Sequence, residues 1–71
     1  MIHIDVTRSS MISALDYDEA VQELTVTFNN GGKYKYFDVP KEAFDALLAD
    51  EESIGKHFGS RIKNKYRYEK V

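Results

Sequence analysis

Apolar and polar residues alternate most clearly through Leu24, Val26 and Phe28, which interleave with Thr25 and Thr27. This spacing predicts a strand with one apolar face and one hydroxyl face. Ile2-His3-Ile4-Asp5-Val6 repeats the pattern over a shorter stretch and predicts a half-buried strand or an ordered arm. After a polar break at Thr7-Arg8-Ser9-Ser10, residues 11–17 form a weaker strand candidate. Met11, Leu15 and Tyr17 share one parity there, and Ile12 and Ala14 the other. A turn is expected at Asp18-Glu19-Ala20. Asn29-Asn30-Gly31-Gly32 is a strong turn signal because these residues reach positive φ at little cost. Tyr34 and Tyr36 then share one parity of the next strand, and Phe37 and Val39 the other.

Beyond Pro40, which suits the first turn of a helix, the period changes. Phe44, Leu47 and Leu48 fall at i, i+3, i+4 and predict a helix over residues 40–50. Asp50-Glu51-Glu52 breaks the stripe, and Ser53 is a good N-cap for a second helix. Ile54, Phe58, Ile62 and Tyr66 recur every fourth residue as its buried stripe. Gly55 and Gly59 weaken that helix by about 1 kcal/mol each relative to alanine, which points to close packing against a neighbour.

Hairpin register decides what the tyrosines do, because a strand's side chains alternate between faces. A two-residue loop at Asn30-Gly31 puts Tyr34 and Tyr36 beside threonines, as an exposed platform of the kind that stacks RNA bases. A three-residue loop at Asn30-Gly31-Gly32 puts Phe28 opposite Tyr34 and Val26 opposite Tyr36, on the core face. Lys33 and Lys35 then join the threonines on the wet side. The second register is preferred, since it buries two more aromatic rings at about 2 kcal/mol each. Gly32 would take the left-handed position of the bulged turn. The expected architecture is α+β: an antiparallel three- to four-stranded meander followed by two α-helices packed on one face. Residues 1–71 form one domain, with residues 68–71 as a loose tail.

At 71 residues the chain buries only about 60% of the surface that its unfolded form exposes. It has no cysteine, which excludes disulfides and thiolate chemistry and suits a cytoplasmic location. No apolar run is long enough to cross a membrane, and the N-terminus lacks a signal-peptide pattern. The net charge of −2 conceals an asymmetry. Residues 1–55 carry eleven acidic and four basic side chains. Residues 56–71 carry Lys56, Arg61, Lys63, Lys65, Arg67 and Lys70 against Glu69 alone. Such a segment is either an electrostatic footprint for a polyanion or a solvated helix face paired with the acidic body.

Little in the sequence supports catalysis. His3 and His57 sit among scattered carboxylates without metal-ligand spacing, so no metal and no cofactor are expected. Asp16 and Asp18 read as turn residues. Ser9 and Ser10 have no nucleophile elbow and read as backbone hydrogen-bonding residues at a strand start. Asn30-Gly31-Gly32 lacks the Lys-Ser/Thr and the following helix of a phosphate loop. The chain is read as a non-enzyme.

Ser9-Ser10, Tyr17-Asp18, Leu24-x-Val26-x-Phe28-x-Asn30-Gly31, Tyr34-x-Tyr36, Val39-Pro40 and Ser53-x-Gly55-x-x-Phe58-x-x-x-Ile62-x-x-x-Tyr66 together resemble the KTSC domain. That family takes its name from the C-terminal extension of some lysyl-tRNA synthetases and also occurs as small bacterial and phage proteins. The resemblance runs from about residue 7 to residue 66 and departs from the family pattern at Gly59, where an asparagine is expected. It implies an uncharacterised module for which attachment to a synthetase suggests RNA.

Three functions are therefore open. One is an RNA or tRNA binder using Lys33, Lys35, Lys56, Arg61, Lys63, Lys65 and Arg67, with possible aromatic contacts from Tyr34, Tyr36 and Tyr66. On a helical wheel Lys56, Lys63 and Arg67 fall close together opposite the apolar stripe. The second is a protein–protein adaptor or small oligomer, using uncovered apolar surface such as Phe37 and Val39. The third is a binder of a small anionic, nucleotide-like ligand.

Overall fold

The alternating residues become the centre of a five-stranded antiparallel sheet in the computed structural model, which describes residues 1–7, 9–49 and 54–71. Its strands are β1 (Ile2–Asp5), β2 (Ile12–Asp18), β3 (Glu23–Phe28), β4 (Lys33–Tyr36) and β5 (Tyr68–Lys70), in that spatial order. Helices α1 (Lys41–Ala49) and α2 (Ile54–Arg61) connect β4 to β5. The expected α+β architecture holds, with one strand more than the meander predicted. The segment expected to be a loose tail is strand β5, paired antiparallel to β4 and held beyond its end by a Val71 N–H to Lys33 carbonyl bond of 3.0 Å. The Ser53 cap and the Asp50-Glu51-Glu52 break fall outside the described residues.

Rows across the sheet separate its two faces. Ile2, Tyr17, Leu24, Tyr36 and Tyr68 are successive partners on the helix side, and Ile4, Leu15, Val26 and Tyr34 form the next row. The helices cover this side. Phe44 of α1 stacks on Tyr17 with centroids 4.5 Å apart, and Phe58 of α2 meets Tyr36 edge-on at 5.3 Å. Ile12, Leu15, Tyr17, Leu24, Val26, Val39, Phe44, Leu47, Ile54, Phe58 and Ile62 are all buried there. His3, Asp16, Thr25, Lys35 and Glu69 make a row on the opposite, uncovered face.

The β3–β4 hairpin has a three-residue loop, one position earlier than expected. Phe28 N–H bonds the Gly32 carbonyl at 2.8 Å, and Gly31 N–H returns to the Phe28 carbonyl at 2.9 Å. The loop is thus Asn29-Asn30-Gly31, and Gly31 rather than Gly32 takes the left-handed conformation, with φ of 92°. Val26 consequently faces Tyr34 and Leu24 faces Tyr36. Both ends of the loop moved by one residue, so side-chain parity is unchanged and the tyrosines remain on the helix side.

Two other boundaries differ. The β2–β3 turn occupies residues 19–22, with Gln22 at φ of 57°. Helix α2 ends at Arg61 although the apolar spacing runs on to Tyr66. Phe58 carbonyl accepts from both Ile62 and Lys63, and Ile62 carbonyl from both Lys65 and Tyr66, so open turns replace the helix. Ile62 nevertheless stays buried.

Candidate functional site

The helix side of the sheet carries a cleft at the hairpin end. Met11, Phe28, Asn30, Tyr34, Tyr36, Lys63 and Tyr68 line this cleft of about 310 Å³. Its parts come from distant stretches of chain. Met11 precedes β2, Phe28 ends β3, Asn30 is in the hairpin loop, and Tyr34 and Tyr36 point up from β4. Lys63 stands in the turns after α2, and Tyr68 opens β5.

Aromatic packing fixes the floor. Phe28 lies edge-on to both Tyr34 and Phe58, each pair at 5.7 Å between centroids. Tyr68 rests on Tyr34 at 5.8 Å and on Tyr36 at 5.3 Å, the latter tilted by 32°. Edge and tilted arrangements at these separations are the favourable ones for aromatic pairs. Tyr36 is only 2% exposed, and burial first, then the neighbouring phenols of Tyr68 and Tyr34, raises its phenol above the ordinary value of 10.0. Tyr68 in contrast is 53% exposed. Asn30 is oriented by its own loop. Its side-chain oxygen accepts the Gly32 N–H at 2.9 Å, which leaves the amide nitrogen as a donor on the cleft wall.

Two further depressions adjoin this cleft. One is lined by Phe28, Asn30, Gly31, Gly32, Lys33, Tyr34, Lys70 and Val71, the other by Ser10, Met11, Phe28, Asn29 and Asn30. Phe28 and Asn30 belong to all three, so the groove wraps around the hairpin loop. Every charged side chain lining it is a lysine: Lys33, Lys63 or Lys70. The uncovered face of the sheet is different. Asp5, Asp16, Asp18, Glu23 and Glu69 outnumber Lys33 and Lys35 there, and aromatic residues are missing from its paired positions.

The basic residues expected to act together are dispersed. Lys56 is exposed on α2, and Arg61 is exposed at its last position. Lys63 and Arg67 lie beyond the end of α2, so the helical-wheel grouping with Lys56 does not exist. Only Lys63 of that trio lines the cleft. Lys65 holds its Nζ 5.7 Å from the centre of the Tyr66 ring, and Tyr66 packs half-buried against the core. Arg67 stacks its guanidinium 4.7 Å from the Phe37 ring centre. Lys35 pairs with Glu23 at 3.3 Å on the face away from the helices, and Lys33 reaches the groove only at the hairpin end.

The apolar patch expected at Phe37 and Val39 is absent as well. Asp38 at φ of 57° turns the chain, which buries Val39 completely, while Arg67 covers Phe37. Asp16, expected in a turn, is on β2, where its carboxylate meets His3 Nδ1 at 2.6 Å. Ser9 fills its expected backbone role, and its hydroxyl oxygen accepts the N–H groups of Met11 and Ile12 at 3.0 Å each. His57 is half-buried on α2.

A five-stranded antiparallel sheet carrying two helices on one face, with an aromatic groove at one end, defines a small α+β domain. The KTSC domain pattern matches residues 8–66, and the chain belongs to the KTSC domain family. It is 44% identical over 59 residues to a protein of Tsukamurella paurometabola, covering 83% of this chain and 87% of that one. A lysine–tRNA ligase of Nostoc punctiforme is 36% identical over 62 residues, which are 87% of this chain but 11% of the ligase. The crystal structure of a KTSC domain protein from Yersinia pestis superposes with a TM-score of 0.88 at 28% identity, covering 99% of this chain and 96% of that one. Strands β1 and β5 lie outside residues 8–66, yet that superposition includes them. No helix among the described residues is long and apolar enough to cross a membrane.

Proposed function

We propose that this domain is a cytoplasmic, non-enzymatic binding module for RNA, and that its working surface is the groove around the hairpin loop. The observation that carries the reading is the groove's lining. It combines accessible aromatic surface with lysines as its charged side chains, in a chain whose net charge is −2. Local cationic charge on an acidic body selects for a polyanion approaching from that side. Aromatic rings beside lysines match the two parts of a nucleotide, the base and the phosphate. The similarity to part of a lysine–tRNA ligase supports RNA by association.

The test is the salt dependence of binding to a labelled transfer RNA, followed by fluorescence anisotropy. Three phosphate contacts, one for each lining lysine, give a slope of log K against log salt of about −2. Lys63→Glu should abolish retention at low salt, whereas Lys56→Glu, outside the groove, should leave most of it. Equal loss in the two variants, or no binding by the wild type at low salt, would refute the assignment.

A further inference from the structure

We infer that the groove holds one unpaired base of a single-stranded RNA, stacked on Tyr68, with the backbone on either side of it reaching Lys63 and, at the hairpin end, Lys33 and Lys70. This rests on the RNA reading above and goes further, because it excludes duplex as the ligand. Tyr68 is backed by Tyr34 and Tyr36 yet keeps about half of its surface in solvent. Such a ring is anchored beforehand, so little side-chain entropy is lost when a second planar group covers it. Met11, itself 46% exposed, lines the same cleft as Tyr68 and offers a polarizable thioether to that group. Asn30 adds a polar contact. Its oxygen is committed to Gly32 N–H, so it presents donors to an acceptor on the base edge.

The lysines are placed for the backbone. Lys63 lines the cleft that contains Tyr68, and Lys33 and Lys70 line the depression on the hairpin side, with Tyr34 common to both. A strand crossing Tyr34 thus meets cations before and after the aromatic site. A duplex has no base face to give. Its bases are stacked on one another, and the A-form major groove is too narrow for side chains to read.

The experiment compares three ligands dosed at equal phosphate concentration: a single-stranded RNA of about eight nucleotides, the same sequence as a duplex, and inorganic polyphosphate. Binding is read by anisotropy or competition, and by quenching of tyrosine fluorescence, which is unobscured because the chain has no tryptophan. The single strand should bind tightest and quench. Tyr68→Leu should weaken it about tenfold with little change for polyphosphate, and Tyr68→Phe should restore it. If duplex or polyphosphate binds as well as the single strand, or Tyr68→Leu has no effect while Lys63→Glu does, the stacking site is wrong and the RNA reading survives. If none of the RNAs binds, both fail. Should Tyr68→Leu not fold, the three-ligand comparison on the wild type still decides.

Discussion

The Tyr17 hydroxyl donates to the Val39 carbonyl at 2.6 Å inside the core, tying the second strand to the segment that enters the first helix. Val39 is held from its other side as well, since its N–H bonds the Gln22 carbonyl at 2.9 Å. The Tyr17 ring meanwhile lies parallel to Phe44, tilted by only 11°. One phenol thus joins sheet, connection and α1. Burial raises its pKa above the ordinary 10.0, so it stays a neutral donor. Tyr17→Phe keeps the stacking but leaves the Val39 carbonyl buried without that partner. The expected cost is about 1–2 kcal/mol, seen as a lower urea midpoint at unchanged slope. An unchanged midpoint would mean that the bond contributes nothing.

The glycines of α2 should respond in opposite directions. A Cβ on Gly55 would stand 3.0 Å from Ser9 Oγ and 3.4 Å from Met11 Cβ, whereas one on Gly59 would meet nothing within 4 Å. Close packing explains the first and not the second. Ser9 cannot yield cheaply, because its hydroxyl holds the N–H groups that begin β2. Gly55→Ala should therefore destabilise despite its better helix propensity, and Gly59→Ala should stabilise by up to about 1 kcal/mol. Thermal unfolding of the two variants tests this, and a gain from Gly55→Ala would contradict it.

Gln22 holds a left-handed backbone without being glycine, and its carbonyl is engaged by Val39. Its side chain is exposed, so a substitution there changes the backbone preference and little packing. Gln22→Gly should relieve left-handed strain of about 1–2 kcal/mol and give back about 0.5–1 kcal/mol in chain entropy. The net expectation is a small rise in melting temperature. A fall would show that the left-handed geometry here is not strained.

These responses mark where the sequence is legible. Strand parity was readable at Leu24, Val26, Tyr34 and Tyr36, because a shift of both loop ends by one residue leaves every side chain on its face. The end of α2 was not. Ile62 is buried by a turn that follows the helix, so the four-residue apolar spacing carries no mark of the change. Strand β5 was hidden for a different reason. It has three residues, two of them charged, and its partner β4 lies some thirty residues earlier, so pairing comes from topology rather than local pattern. The candidate site inherits that loss. Lys63, Lys33, Tyr34 and Tyr36 follow from charge and aromatic spacing. Phe28 and Asn30 carry only strand and turn signals, Met11 only a strand signal, and Tyr68 and Lys70 fall in the expected tail. A hint was present in Tyr68, whose ring interrupts an otherwise charged stretch.

His3 on the edge strand β1 contacts Asp16 through Nδ1 at 2.6 Å and Asp5 through Nε2 at 2.9 Å. Both partners are carboxylate oxygens, so both contacts are hydrogen bonds only when both ring nitrogens carry protons. The hydrogen bond to Asp16, then the one to Asp5, raises the histidine above its ordinary 6.5. The folded state therefore binds this proton more tightly than the unfolded chain, and stability falls with pH where the two differ. The contribution is complete below 6.5 and disappears as pH climbs through the raised value. His3→Gln should remove it, so the melting temperatures of wild type and variant should differ most below 6.5 and converge above the raised value. A titration of the His3 ring protons by NMR gives the same quantity directly. A midpoint at or below 6.5, or a difference between the proteins that grows with pH, would show that the imidazolium does not bridge the two aspartates.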